Sequence, residues 1–246
     1  MIGVLAIVLS LALPALARSR GQARQISNLS NCRQLATLVT AYGMDNKDLP
    51  PTVFPPVYVN PAINLPWSEV QIGTTKLRGA WFDNGIAYQL LLRPLPPITS
   101  FRAVEAPRGG PTIEIDGQRT SRVNHFMLSD PFFADPDYWT VDKQIGPEQW
   151  RPQRMTSVAY PSAKGLMFQF MLFGRAGYES GFPSCCADNV CAPVAWSDLS
   201  ATDEVLGKLK WGVPNAWHHG IPAAPQAGAN AAPLMGTERG ILGRDR

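Results

Sequence analysis

The chain has 246 residues, 45% of them apolar, with 23 prolines, 4 cysteines and a formal charge of +3. That is enough for one helical stalk and one domain of ordinary size. The charge is unevenly placed: residues 1–44 carry four arginines and no acid, leaving 18 basic and 19 acidic side chains beyond them. So near-neutral a remainder, with no basic patch interleaved with aromatics, excludes a nucleic-acid partner.

Residues 1–17, MIGVLAIVLSLALPALA, hold no charge and nine Ile, Val or Leu side chains. At roughly −0.3 to −0.6 kcal/mol each, these favour a bilayer by about 3 to 5 kcal/mol. Pro14 offsets part of this. As a helix the run is about 25 Å long, slightly short of a ~30 Å hydrocarbon core. We read it as a transmembrane stalk. Ala15-Leu16-Ala17 imitates a signal-peptide cleavage site, but a signal peptide carries its basic residues before the apolar core. Here Arg18, Arg20 and Arg24 follow it.

The helical spacing continues past Ala17. Ala23, Ile26, Leu29, Cys32, Ala36, Val39 and Tyr42 step by three or four. This predicts an amphipathic helix whose Ile26, Leu29, Ala36, Val39 and Tyr42 side packs on a folded head. Gly43, Asp45 and Asn46 offer a stop, which Pro50-Pro51 enforces. Within the stalk, Gly3, Ala6 and Ser10 also follow three-four spacing. Lipid tails compete equally for Leu and Ile, so stalks associate through small residues that allow close packing. Pro14 leaves the Ser10 carbonyl without its helical donor. Gly3, Ala6, Ser10 and Pro14 are therefore the expected assembly positions, with Leu9 and Leu13 facing away.

IGVLAIVLSLALPAL, continued by ARSRGQARQISNLSNCRQLATLVTAYGMDNKDLPP, resembles the N-terminal region of type IV pilin-like proteins. The likeness is greatest to the major pseudopilins of type II secretion and their prepilin-type relatives. The matching residues are Pro14, Asn31, Gln34, Leu35, Tyr42, Asn46 and Pro50, and the resemblance covers residues 2–51. It implies an α+β fold in which a long N-terminal helix, half transmembrane and half amphipathic, packs on an antiparallel β-sheet head. The division expected is a stalk at 1–17, its amphipathic continuation at 18–49 and a β-rich extracytoplasmic head at 50–246. The family's basic leader, aromatic first mature residue and helix Glu belong before the matched stretch, so the resemblance implies a true start upstream of Met1. Counted alone, the arginines after the stalk place that side in the cytoplasm; the family's basic leader turns the head outward. The implied place is the bacterial inner membrane, single-pass, with the head in the periplasm or outside the cell. The implied partners are other pilin-like subunits, inner-membrane components of the secretion system, and the membrane itself.

Beyond the helix, residues 50–66 contain six prolines, which excludes helix and central strand and predicts an extended connection. Val70–Ile72 and Lys76–Arg78 flank Gly73-Thr74-Thr75 as a hairpin. Ile86–Leu92 reads as a short helix or a buried strand. Thr112–Ile115 and Gln118–Val123 make a second hairpin about Asp116-Gly117. Ser129–Trp139 is an acidic and aromatic loop, expected as a solvated turn, in which Asp130, Asp135 and Asp137 are calcium candidates by their oxygen ligands. Met155–Phe170 reads as two strands around a Pro-Ser turn, with Lys164 a turn residue; the Tyr-Pro-Ser-x-Lys pattern resembles one found in pilin-like heads. Residues 234–246 suggest two short strands around Glu238-Arg239-Gly240, resembling the closing strand of such heads.

Of the four cysteines, Cys185 and Cys186 are adjacent, so a bond between them is strained. Cys191 paired with one of the two is the simplest oxidised form and suits an extracytoplasmic compartment. Cys185, Cys186, Cys191, His218 and His219 are also zinc-type ligands, but Cys-Cys-x4-Cys is not a C-x2-C knuckle. His125 has no Ser or Cys nucleophile in a recognised motif, and no phosphate-binding glycine pattern occurs. No catalytic residues and no cofactor other than calcium are expected. The expected function is that of a filament subunit supporting protein secretion. The alternative is a signal-anchored binding module that does not polymerise.

Overall fold

The computed structural model describes residues 2–51, 58–60, 65–72, 75–80, 112–115, 118–121, 126–145, 147–172, 182–183, 191–213 and 233–246; side chains are described at 10, 12–51, 126–145, 148–170, 191–213 and 233–246. The expectations placed on Ile86–Leu92, Cys185, Cys186, His125, His218, His219 and the side chains of Gly3, Ala6 and Leu9 lie outside the described residues.

One helix, α1, runs without interruption over Ile2–Asp45, with Pro14 inside it. It ends on two non-glycine residues in the left-handed region, Lys47 at φ 59° and Asp48 at φ 64°. The N–H groups of Asn46 and Asp48 both return to the Gly43 carbonyl at 3.0 and 2.7 Å, and Asn46 Nδ2 donates to the Tyr42 carbonyl at 2.7 Å. α1 therefore ends at Asp45, within the expected stop, and the carbonyl that closes it belongs to Gly43. Gly43 is also a packing position, since a Cβ there would strike the Met155 side chain.

Four antiparallel strands form the main sheet: β6 (Phe126–Leu128), β7 (Gly165–Gln169), β10 (Cys191–Trp196) and β11 (Ala201–Val205), in the order β11-β10-β7-β6. Val194 pairs with Phe168 and Ala195 with Met167, and the register shifts between Ala195 and Trp196. α1 lies against β7, β10 and β11. On the helix side of the sheet, Phe126, Leu128, Met167 and Ala195 join Cys32, Leu35, Ala36 and Val39 in one cluster; on the other side, Met127, Phe168, Ala192, Val194 and Trp196 join Leu206, Leu209, Leu234 and Met235 in a second. The molecule is α+β, with a sheet covered on both faces. That explains why every side chain of β7 is buried instead of alternating inside and outside as on a half-solvated antiparallel sheet.

The remaining strands pair in smaller units: β1 (Tyr58–Asn60), β2 (Leu65–Ile72) and β3 (Thr75–Ala80) in one, β4 (Thr112–Ile115) with β5 (Gln118–Ser121), and β8 (Met171–Leu172) with β9 (Phe182–Pro183). Both expected hairpins are present, with Ile72 paired to Thr75 and Ile115 to Gln118. The prolines at 50–66 did not exclude strand: β1 lies within that stretch, and β2, the central strand of the three, begins there at Leu65. Pro66 pairs only with Val59, and β3 begins its pairing at Trp67, so a missing N–H costs one side of the ladder nothing.

Three loop expectations are corrected. Ser129–Trp139 is no solvated turn: Asp130–Phe133 and Pro136–Trp139 are 3₁₀ turns whose Asp130, Phe132, Phe133, Tyr138 and Trp139 are buried. Tyr138 meets Trp139 and Trp150 edge-on, at 4.8 and 6.2 Å between ring centroids. The aromatic half of the loop outweighs its acids because large rings gain most from burial. Met155–Phe170 contains one strand, β7, preceded by 3₁₀ turns at Met155–Ser157 and Pro161–Ala163. Residues 234–246 are turns with a 3₁₀ segment at Gly240–Leu242, not strands. Leu234, Arg239 and Gly240 have φ of 68°, 61° and 56°, which no strand accommodates. At Gly240 a Cβ would also lie 2.6 Å from the Trp139 ring.

The C-terminal segment is nevertheless integral. Its backbone bonds to Trp139, Ala159, Ala163, Lys210 and Val213. Lys164 closes the Pro161–Ala163 turn as expected, yet it is completely buried, and its Nζ meets Asp245 Oδ1 at 3.2 Å. Arg244 stacks on Tyr160 and Arg246 on Trp196, with the guanidinium carbon 4.0 and 4.1 Å from the ring centroids.

The helix–sheet contact leads to a stability test. Leu35 is fully buried whereas Ile26 is 68% exposed. Urea unfolding of the purified chain, followed by tryptophan fluorescence, should show Leu35→Ala losing about 2–5 kcal/mol, and Ile26→Ala staying within about 0.5 kcal/mol of the parent.

Candidate assembly surface

α1 divides into two halves by what covers it. The side chains at Ser10 and at 12–26 are all exposed, with Leu13 at 60% and Leu16 at 49%. The head begins at Gln25, whose Nε2 donates to Asp203 at 3.0 Å, and covers the helix from there to its end. Residues 2–26 would rise about 37 Å at 1.5 Å per residue. Of the expected assembly positions, Ser10 and Pro14 are thus on bare helix, and at Gly21 an added Cβ would meet nothing within 4 Å. Arg18, Arg20 and Arg24 stand exposed between the apolar residues and the head. Among the described residues, no helix is long and apolar enough to cross a membrane.

The face packed on the head includes Leu29, Ala36, Val39 and Tyr42 as expected, and departs from the expected one at Ile26. Asn28, Cys32, Leu35, Ala36, Val39 and Gly43 are buried, Leu29 and Tyr42 are half-buried, and Ile26 faces away. The reason is helical geometry. Ala23, Ile26, Leu29 and Cys32 advance by three residues at a time, each step falling about 60° short of a full turn, so Ile26 stands about 120° from Cys32. Steps of four and three from Asn28 hold one direction, and a polar residue at 28 hides that register from a hydrophobicity count.

Cys32 is the chemically distinctive member of this face. Its thiol points at the Met167 and Pro193 carbonyls, 3.5 and 3.7 Å away on β7 and β10. Burial pushes its pKa far up, with Asp203 adding to the rise and a hydrogen bond to the Ala195 backbone opposing it. Burial also raises the Tyr42 phenol. Cys32 therefore serves as a small apolar spacer that lets α1 approach the sheet.

The three calcium candidates are not brought together. Asp135 is held by Arg151, 2.6 Å from Oδ2, and by Gln153; Asp137 pairs with Lys143 at 3.1 Å; Asp130 is buried. Among the described residues no group of three His, Cys, Asp or Glu side chains could hold a metal ion. Cys191 opens β10 half-buried, opposite Val205.

The raised Cys32 value gives a pH dependence of known sign. Above the ordinary thiol value of 9.0 the unfolded chain loses this proton while the folded chain keeps it, so stability is full below pH 9 and falls as pH rises beyond it. Denaturation midpoints measured from pH 8 to 10.5 should fall less steeply in Cys32→Ala than in the parent chain. Alkylation at pH 8 should leave Cys32 unmodified until urea unfolds the head. Comparison of the chain with protein-family models, curated proteins and solved structures finds no match.

Proposed function

We propose that the chain is a pilin-like structural subunit. Through its N-terminal helix it assembles into a type II secretion or type IV pilus-like filament that supports protein secretion, with its stalk in the bacterial inner membrane and its head on the far side. The observation that carries this reading is the uneven cover of α1. A single helix of 44 residues is packed by its own head over the second half, while the side chains described before it, Ser10 and 12–26, are all exposed, Leu13 and Leu16 among them. Exposed apolar side chains on a projecting helix are what a bilayer or neighbouring stalks would cover. The N-terminal likeness to pseudopilins supports the choice of a filament over other membrane-anchored arrangements. The partners are further copies of the chain, other pilin-like subunits and inner-membrane components of the secretion machinery. In this reading the head acts by its shape and surface, and no catalytic step is assigned to it.

Disulfide cross-linking in membranes tests the proposal. Ser10→Cys chains, oxidised in the bilayer, should give disulfide-linked dimers that a parent chain treated alike does not. Adding Gly3→Leu or Ala6→Leu should reduce the dimers roughly tenfold, the effect of about 1.4 kcal/mol on association, and leave the membrane-bound fraction unchanged. Stalk cysteines that remain monomeric in the membrane at every position from 10 to 16 would instead favour an anchored binding module.

A further inference from the structure

Lys164 and Asp245 have no solvent exposure, and their side chains meet at 3.2 Å. Their hydrogen bonding is lopsided. An ammonium carries three donors, and among the described residues the Lys164 ammonium finds one acceptor, Asp245 Oδ1. The Asp245 carboxyl is better provided: the Gly165 N–H donates to Oδ2 at 2.8 Å, and the Thr237 hydroxyl donates to Oδ1. Burial pushes the Lys164 amine below its ordinary value, with the attraction and hydrogen bond of Asp245 opposing it. That is the direction expected of a charge short of partners in an apolar interior.

Moving one proton from Nζ to the carboxylate turns the pair into an amine and a carboxylic acid. It leaves net charge unchanged and removes two buried charges together. The amine is then a nucleophile. The acid beside it has both oxygens facing fixed donors, an arrangement that stabilises negative charge developing on an acyl oxygen. The backbone holds the two groups in place: Asp245 N–H bonds to the Ala163 carbonyl at 2.8 Å, next to Lys164. Two groups so held react as parts of one molecule, without the entropy cost of encounter.

We propose that Lys164 and Asp245 join in an intramolecular isopeptide bond that clamps the C-terminal segment to the start of β7. The Nζ lone pair forms the new bond to Asp245 Cγ, and one carboxyl C–O bond breaks. The departing oxygen leaves as water, taking its hydrogens from the amine and the acid. The step needs no oxidant, reductant or second substrate. Its product is a neutral amide in place of a buried ion pair, and the one oxygen that remains keeps its own donor, the Gly165 N–H on Oδ2 or the Thr237 hydroxyl on Oδ1. The clamp closes a loop spanning 81 positions, which removes conformations from the unfolded chain.

Intact-mass measurement of the full chain under denaturing conditions decides the matter. The folded parent chain should be lighter than its sequence by one water. Trypsin should then fail to cut after Lys164 and release residues 155–175 joined through that side chain to residues 245–246. Lys164→Arg, which keeps the charge and lacks the nucleophile, should have its full calculated mass. The proposal is overturned if the parent has its full calculated mass and yields residues 155–164 as an ordinary tryptic peptide. It is equally overturned if the missing water persists in Lys164→Arg.

Discussion

The head is stacked on the seam where Cys32, Leu35, Ala36 and Val39 meet β7 and β10. All four are fully buried, and burying side chains of Leu or Val size contributes about 1.5–3 kcal/mol each. Two of the four are small, Cys32 and Ala36, so the helix axis comes close to the sheet. The closeness is visible in the Cys32 thiol, which reaches carbonyls of both strands. From this contact follows the direction of α1 across the sheet, and with it the length of helix that projects beyond the head. A bulkier side chain at 32 or 36 would lift the helix and open the cluster that holds Phe132, Tyr138, Trp139 and Trp150.

The opposite face of the sheet is closed by chain from the far end of the sequence. Leu234 and Met235 pack on Phe168, Val194 and Trp196, while Ile241 reaches round to the helix-side cluster. Ser129 Oγ donates to the Leu234 carbonyl at 2.6 Å, tying the aromatic loop to the same segment. The segment achieves this without strand pairing, through left-handed turns at Leu234, Arg239 and Gly240 and the buried meeting of Lys164 with Asp245. Helix, sheet and C-terminal segment therefore form three layers around two clusters.

How much of this was legible depends on how local each determinant is. The long helix was readable because three-four spacing needs only neighbours within a turn, and both hairpins because their turn residues sit beside their strands. The packing face was misread at Ile26, since hydrophobicity favours Ile over the buried Asn28. Lys164 does follow a turn, as expected, but its burial was not legible, because lysine is rarely buried without a partner and its partner lies 81 positions away. Ser129–Trp139 carries both turn-forming acids and rings that favour burial, and which prevails is settled only by the neighbours Trp150 and Ile241. The C-terminal segment has the apolar content of a strand, while its conformation is set by tertiary contact with Trp139.

The account turns on one division: the second half of α1 belongs to the head and the first half to lipid and other stalks. Spin labels placed singly at Ser10, Leu13, Leu16, Arg33, Thr37 and Ala41 of the full chain in bilayers measure this directly, by comparing relaxation from oxygen with relaxation from a water-soluble nickel complex. The account predicts that oxygen dominates at 10, 13 and 16 and the nickel complex at 33, 37 and 41, all exposed positions in the isolated subunit. Dominant nickel access at 10, 13 and 16 would place the bare half of the helix in water and contradict it.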